Sequence, residues 1–118
     1  MKTTIKTMSN GKKRIVNPSA EPCSVERGMR VLGGKWKASI LWHLQDGPVR
    51  FNDLSRMLGG ASKKMVDQRL KELEAQGMVI RHVLNDRPIA VSYAITDLGR
   101  SALGILKRLK EWADEYVV

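Results

Sequence analysis

Residues 51–77 read FNDLSRMLGGASKKMVDQRLKELEAQG, and this stretch decides the fold. Its first part sets Phe51, Leu54, Met57 and Leu58 on one side of a helix, with Asn52 as the expected N-cap. Gly59-Gly60-Ala61-Ser62 then makes a short glycine-containing turn that ends on a serine suited to capping the next helix. That helix is expected over about Lys63–Ala75, closed by Gly77, with Val66, Leu70, Leu73 and Gly77 along one stripe at spacings of four, three and four. At about 100° per residue, Lys64, Gln68 and Lys71 fall near the opposite side. Two helices joined by a tight turn, the second packed inward on one side and polar on the other, form a helix-turn-helix.

Working outward toward the N-terminus, Val25, Met29 and Leu32 mark a helix from Ser24 or Val25 to Leu32, stopped by Gly33-Gly34. A second helix is expected over Lys35–Gln45, with Trp36, Ile40, Leu41 and Leu44 facing inward and Asp46-Gly47-Pro48 ending it. Val49-Arg50 is long enough only for a strand fragment. Toward the C-terminus, Met78–Val83 and Ala90–Ile95 have strand character, and in the second run Val91, Tyr93 and Ile95 share a face. Asn85-Asp86 and Pro88 between them predict a hairpin turn over Leu84–Ile89. Thr96 then caps a single long helix from Asp97 to about Tyr116. The resulting fold class is mainly α with a small β-hairpin, a winged helix-turn-helix with a long C-terminal helix over 97–117.

Composition fits a nucleic-acid partner. The 118 residues carry 21 Lys+Arg against 12 Asp+Glu, a formal charge of +9, and 42% of them are hydrophobic, enough for one folded domain. The charge is uneven: residues 1–20 hold Lys2, Lys6, Lys12, Lys13 and Arg14 and no acid. This segment is expected to be a flexible basic arm ending at Pro18 to Pro22, with residues 21–118 forming the DNA-binding domain. Two roles stay open for it, a solubilising leader or a phosphate-touching arm. No run approaches the roughly 18 apolar residues of a membrane span, and the first thirty residues hold no apolar signal core, so a cytoplasmic protein is expected.

The expected DNA-reading set is Ser62, Lys63, Lys64, Gln68 and Lys71, with Arg87 at the hairpin tip. Lysines neutralise phosphates or donate to guanine, and glutamine pairs bidentately with adenine. Ser62 and Lys63 stand at a helix N-terminus, where free N–H groups favour a phosphate. Any solvated helix offers such a face, and Asp67 and Glu72 lie there too; it is the helix-turn-helix order that makes it a DNA face. Arg81 and His82 fit exposed strand positions as well as they fit a DNA contact. In the last helix Leu98, Ala102, Ile105, Leu109, Trp112 and Tyr116 recur at four, three, four, three and four, with Leu106 and Ala113 widening the row. Part of such a row serves the protomer's own core. Its length also predicts a homodimer, joined by the first helix, and hence a palindromic DNA site.

The motifs Cys23-Ser24-Val25-Glu26, Gly34-Lys35-Trp36, Gly47-Pro48 and Arg50-Phe51-Asn52-Asp53-Leu54 resemble those of HxlR-type regulators. The likeness continues through Ser62-Lys63-Lys64-Met65, Gln68-Arg69-Leu70, Glu72-Leu73-Glu74, Gly77, Arg81, Pro88, Val91, Tyr93, Thr96 and Leu98-Gly99, covering about residues 23–116. It implies a winged-helix transcription factor that binds operator double-stranded DNA as a homodimer, with the helix at 63–75 reading and residues 84–90 forming the wing tip. Leu84, Ile89 and Ala90 depart from the aromatic, proline and basic residue often found there, which shifts the expected wing contact to Arg87. The resemblance also implies redox or electrophile sensing at Cys23, with a small electrophile or oxidant as effector. Cys23 stands at a helix start beside Pro22 and near Arg27, which favours a thiolate; a small buried hydrophobe is the other reading.

Three other classes compete with this one. A small ligand held between Trp36, Trp42 and Trp112 makes a ligand-gated regulator, with core packing as the plainer role for those rings. A protein-interaction module makes the basic face mere solvation. An enzyme built on Cys23 with His43 or His82 lacks an orienting third group and is rejected. One cysteine and two histidines predict no metal, and nothing in the sequence calls for an organic cofactor.

Overall fold

The computed structural model describes residues 4–7, 13–16 and 23–117. The elements in chain order are β1 (Thr4–Thr7), β2 (Lys13–Val16), α1 (Ser24–Leu32), α2 (Lys37–His43), β3 (Val49–Arg50), α3 (Phe51–Met57), α4 (Lys63–Ala75), β4 (Val79–Asp86), β5 (Ile89–Ile95), α5 (Asp97–Arg100) and α6 (Leu103–Tyr116). The strands β3, β5 and β4 form an antiparallel sheet in that order, and β1 pairs with β2 in a separate two-stranded one. Where the sequence showed no strand period in the basic arm, the structure pairs Thr4 with Val16 and Thr7 with Lys13. β-branched Thr4, Ile5, Thr7, Ile15 and Val16 fit that extended backbone. The expected boundary at Pro18 to Pro22 lies outside the described residues.

The core is built where α2, α3, α4 and the sheet converge. Ile40, Leu41, Leu44, Leu54, Val66, Leu70 and Leu73 are completely buried, and Tyr93, Ile95 and Met78 close the sheet side. Phe51 packs against this cluster, whereas Met57, expected with it, is exposed on the outer side of α3.

Several expected boundaries move. α2 begins at Lys37 rather than Lys35, because Trp36 takes a left-handed backbone (φ 79°) that no helix interior tolerates. α3 begins at Phe51, capped by Arg50 rather than Asn52, since Arg50 is held extended by pairing with Ser92 of β5. The hairpin strands run further than expected, to Asp86 and from Ile89, leaving a two-residue turn at Arg87-Pro88. The single long C-terminal helix is two helices, α5 and α6. At their junction the N–H groups of Ser101 and Ala102 donate to the carbonyls of Leu98 and Gly99, a tighter i→i+3 pattern, and the Ser101 hydroxyl donates to Leu98 O.

The short α5 is pinned to the base of the wing. Thr96 accepts from Gly99 N at 3.0 Å and donates to Gly77 O at 2.6 Å. Gly99 is buried, and a Cβ there would stand 2.3 Å from the Met78 carbonyl oxygen and 2.6 Å from Ile95 Cγ1. Only glycine lets the helix approach the sheet so closely.

Candidate nucleic-acid interface

α4 owes its position to its apolar stripe. Val66, Leu70 and Leu73 are buried, and the same periodicity turns Lys64, Gln68 and Lys71 outward, where all three are exposed. Ser62 caps the helix as expected, its hydroxyl oxygen accepting from Met65 N at 3.1 Å. That bond leaves the hydroxyl hydrogen free to donate outward. Ser62 and Lys63 are exposed at the helix start, beside first-turn N–H groups that have no partner within the helix. Lys71 pairs with Asp67 at 2.9 Å, an exposed contact that water and salt screen strongly and a phosphate can displace. Four of the residues expected to read DNA therefore lie on α4 and the fifth, Ser62, caps it, and all five are exposed. Arg87 is exposed on the separate wing turn.

Other residues hold that surface in place, and sequence reading missed them. Arg69 donates from Nε to Lys35 O at 3.1 Å and grips both carboxylate oxygens of Glu72 at 2.8 and 3.0 Å. Lys37 Nζ lies 4.0 Å from the same carboxylate, and its residue is only 4% exposed. Burial lowers the Lys37 pKa from its ordinary value; Glu72 opposes that shift and Arg69 adds to it. α4 is thus tied to the α1–α2 junction by charge as well as by packing. A sequence signal existed: Lys37 occupies the same stripe as Ile40, Leu41 and Leu44 at spacings of three, one and three.

The wing carries Arg81 and His82, both exposed. Tyr93, paired with Arg81 across the strands, has its hydroxyl pKa raised by burial, while Arg81 beside it pulls the other way and Asp67 and Glu74 of α4 add to the rise. The tyrosine face of the sheet is therefore the one turned toward α4.

Two further expectations concern the rest of the chain. Cys23 is exposed, so packing as a small buried hydrophobe is not its role in the single chain. The backbone N–H groups of Glu26 and then Val25 hold its thiol below the ordinary range; slight desolvation opposes them and Arg27 adds a smaller pull downward. The three tryptophans do not gather round one ligand. Trp42 lines a groove of about 300 Å³ between α2 and α6, with Leu106 and Leu109 opposite, but neither Trp36 nor Trp112 lines it. Trp36 instead reaches Gly60 in the helix-turn-helix turn, and Trp112 leans on Tyr116 with ring centroids 6.4 Å apart. Among the described residues no cluster of His, Cys, Asp and Glu is arranged to hold a metal ion, and no helix is long and apolar enough to cross a membrane.

Residues 31–118 match the family of HxlR-like helix-turn-helix proteins. The chain belongs to that family. A relative from Bacillus subtilis (strain 168), the HTH-type transcriptional regulator YtcD, is 43% identical over 94 residues, spanning 80% of this chain and 75% of its own. Among solved structures, the redox regulator HypR in its oxidised form is 39% identical, with a TM-score of 0.73, covering 79% of this chain and 96% of that one. The quinone-bound form of YodB from B. subtilis is 32% identical, with a TM-score of 0.66, covering 78% of this chain and 97% of that one. This HxlR-family chain is accordingly a helix-turn-helix transcriptional regulator, and its mainly helical body with a three-stranded antiparallel sheet is the winged-helix fold of its relatives.

Proposed function

We propose that this regulator binds a palindromic operator in double-stranded DNA as a homodimer, in the cytoplasm, and carries no catalytic activity. Lys64, Gln68 and Lys71 face the major groove, Ser62 and Lys63 take a phosphate at the N-terminus of α4, and Arg87 contacts the backbone from the wing. The observation that carries the reading is the outward row Lys64, Gln68, Lys71 on a helix whose other side is fully buried. Such a helix presents its polar face as a rigid unit, which groove recognition needs. The basic arm of residues 1–20 and the domain of residues 21–118 act together, the arm adding phosphate contacts.

The dimer is supported by the surface left over. α1 has no buried residue, Val25 and Met29 on it are exposed, and α6 leaves Ile105, Leu109, Trp112 and Tyr116 open while Ala102 and Leu106 go to the core. A solvated monomer rarely keeps that many large apolar side chains on two helices. A two-fold pair then places two reading helices about one turn of DNA apart, ~34 Å.

Cys23 is proposed as the effector site, supported by its exposure, by N–H groups that favour thiolate, and by relatives solved in oxidised and quinone-bound forms. Two Cys23 thiols, one per chain, would lose two protons and two electrons to diamide and join as a disulfide; a quinone would instead add to a single thiolate. Fluorescence anisotropy against the DNA upstream of its own gene, at two salt concentrations with and without diamide, tests the whole. Tight, salt-steep binding that diamide abolishes and dithiothreitol restores is expected. Retention of the diamide response in Cys23→Ser removes the cysteine from the mechanism, and salt-indifferent binding removes the DNA reading.

A further inference from the structure

Glu72 is an acid beside a helix face proposed to meet phosphates, and the fold holds it firmly. Arg69 donates to both of its carboxylate oxygens, at 2.8 and 3.0 Å, and the buried Lys37 ammonium approaches from α2 to 4.0 Å. Among the described residues no other carboxylate lies within ion-pair distance of Lys37, so one anion serves two cations. The α1–α2 junction closes on the same cluster. At Gly34 a Cβ would stand 3.5 Å from Lys37 Cδ and 3.9 Å from Arg69 Cζ, so the bare backbone lies against both cations. Lys35 O accepts from Arg69 Nε, in the middle of α4. Trp36, at a positive φ, sends its ring to the turn that launches α4, where a Cβ on Gly60 would stand 4.0 Å from Cη2. Residues 34–36 thus hold α4 and its leading turn at separate points, which fixes the direction of the helix.

We propose that Glu72 is a positioning residue for DNA recognition: by holding Arg69 and Lys37 together on one flank of α4, it sets the angle at which Lys64, Gln68 and Lys71 meet the groove. This rests on the reading of DNA by α4 proposed above and adds what gives that helix its stance. Without the carboxylate charge, a buried ammonium is left beside a guanidinium with nothing to balance either. Bringing the ammonium to water parts α2 from α4, and bidentate contacts to base edges tolerate little rotation of the helix that makes them. The sign of the effect distinguishes this role. Removing an acid from a DNA-facing flank by itself tightens binding to any duplex, because repulsion falls. A positioning role predicts the reverse, and for the specific site alone.

The full-length chain is used to enrich duplexes from a random-sequence pool. The wild-type winner and a scrambled duplex of the same length then serve as probes for every variant, with thermal midpoints read alongside. Glu72→Gln is expected to bind the winner about tenfold more weakly and the scrambled duplex at least as tightly as wild type does. Lys37→Met combined with Glu72→Gln removes the buried charge together with its partner, while the new amide oxygen still accepts from Arg69. This double variant is expected to bind the winner within about twofold of wild type. Arg69→Lys keeps the charge but cannot reach Lys35 O and grip Glu72 at once, so it is expected to lose affinity for the winner and keep it for the scrambled duplex. Glu72→Gln binding the winner as wild type does, or more tightly, overturns the proposal and leaves Glu72 a surface acid. So does a double variant that fails to recover, or a loss that follows the thermal midpoint alone, which makes the cluster a support of the fold. Where Glu72→Gln alone does not fold, Arg69→Lys and the double variant decide. Gln68→Ala in parallel separates the two readings: if it selects the wild-type motif, reading by α4 fails, whatever Glu72 does.

Discussion

α4 and α6 are helices of nearly equal length, 13 and 14 residues, and both carry an apolar stripe. The stripe of α4 is used up: Val66, Leu70 and Leu73 are completely buried. The stripe of α6 is half used, with Leu106 in the core and Ile105, Leu109, Trp112 and Tyr116 left at 52–68% exposure. The half of the molecule built round α4 is finished within one chain, and the half made of α1 and α6 keeps large apolar side chains open. The difference sorts substitutions into those that damage a single chain and those that damage only the proposed pairing.

The largest effects separate along this line. Leu70→Ala is expected to cost about 2–5 kcal/mol of unfolding free energy, the loss of a fully buried leucine plus the cavity it leaves. Leu109→Glu, on the open side of α6, is expected to keep helical content while converting the proposed two-chain species to one chain. Urea titrations at two protein concentrations and sedimentation velocity check the pair. A Leu109→Glu protein that sediments as wild type would break the contrast.

Gly99 joins the two halves, and its substitution is expected to be next in size. Alanine there places a carbon against the Met78 carbonyl, a backbone atom that does not swing aside. Overpacking of this kind costs about 1–3 kcal/mol. Hydrogen exchange sharpens the expectation: protection should fall first at the amides of Thr96 and Ser101, which hold α5 to the sheet and close its end, before it falls in α4.

The helix-turn-helix was legible because its signals are local: a four-three-four stripe, a glycine turn and the capping Ser62 all point to one arrangement. The wing strands and the capping Thr96 were legible for the same reason. Most of what escaped was set from a distance. Trp36 adopts a positive φ, a conformation tryptophan has no preference for, and its ring reaches Gly60 across the fold. Arg50 is extended because β5 lies beside it, which moves the start of α3 back to Phe51. The break between α5 and α6 follows from Ser101 bonding to the turn before it, a choice the apolar row running straight through 101–102 conceals. Arg69 is set against Lys35 O, 34 residues away, by the fold, which no local signal in the sequence marks.

A smaller effect tests the cap of α4. Ser62→Ala removes the acceptor for Met65 N and is expected to cost about 1 kcal/mol, visible as a lowered thermal midpoint. Glycine at the same place should lose only a few tenths of that amount. If neither substitution lowers the midpoint, the cap contributes nothing to the start of α4.

The smallest effect sits in the half made of α1 and α6, at the foot of α1. N–H groups of Glu26 and Val25 lower the Cys23 thiol pKa in the folded chain, and unfolding removes them, so the folded thiol ionises at lower pH. The sign is fixed: below the shifted value both states are thiols and react slowly, and above the ordinary value both are thiolates. Between the two the folded chain alone is largely ionised. Iodoacetamide rates measured against pH should therefore show a lower midpoint for the folded protein than for the same protein in urea. Arg27→Gln should move the folded midpoint upward by less than unfolding does, because the arginine adds less than the backbone donors. Equal midpoints in the folded and unfolded chain would show that the start of α1 gives the cysteine no special reactivity, and would leave its exposure as the only feature favouring modification there.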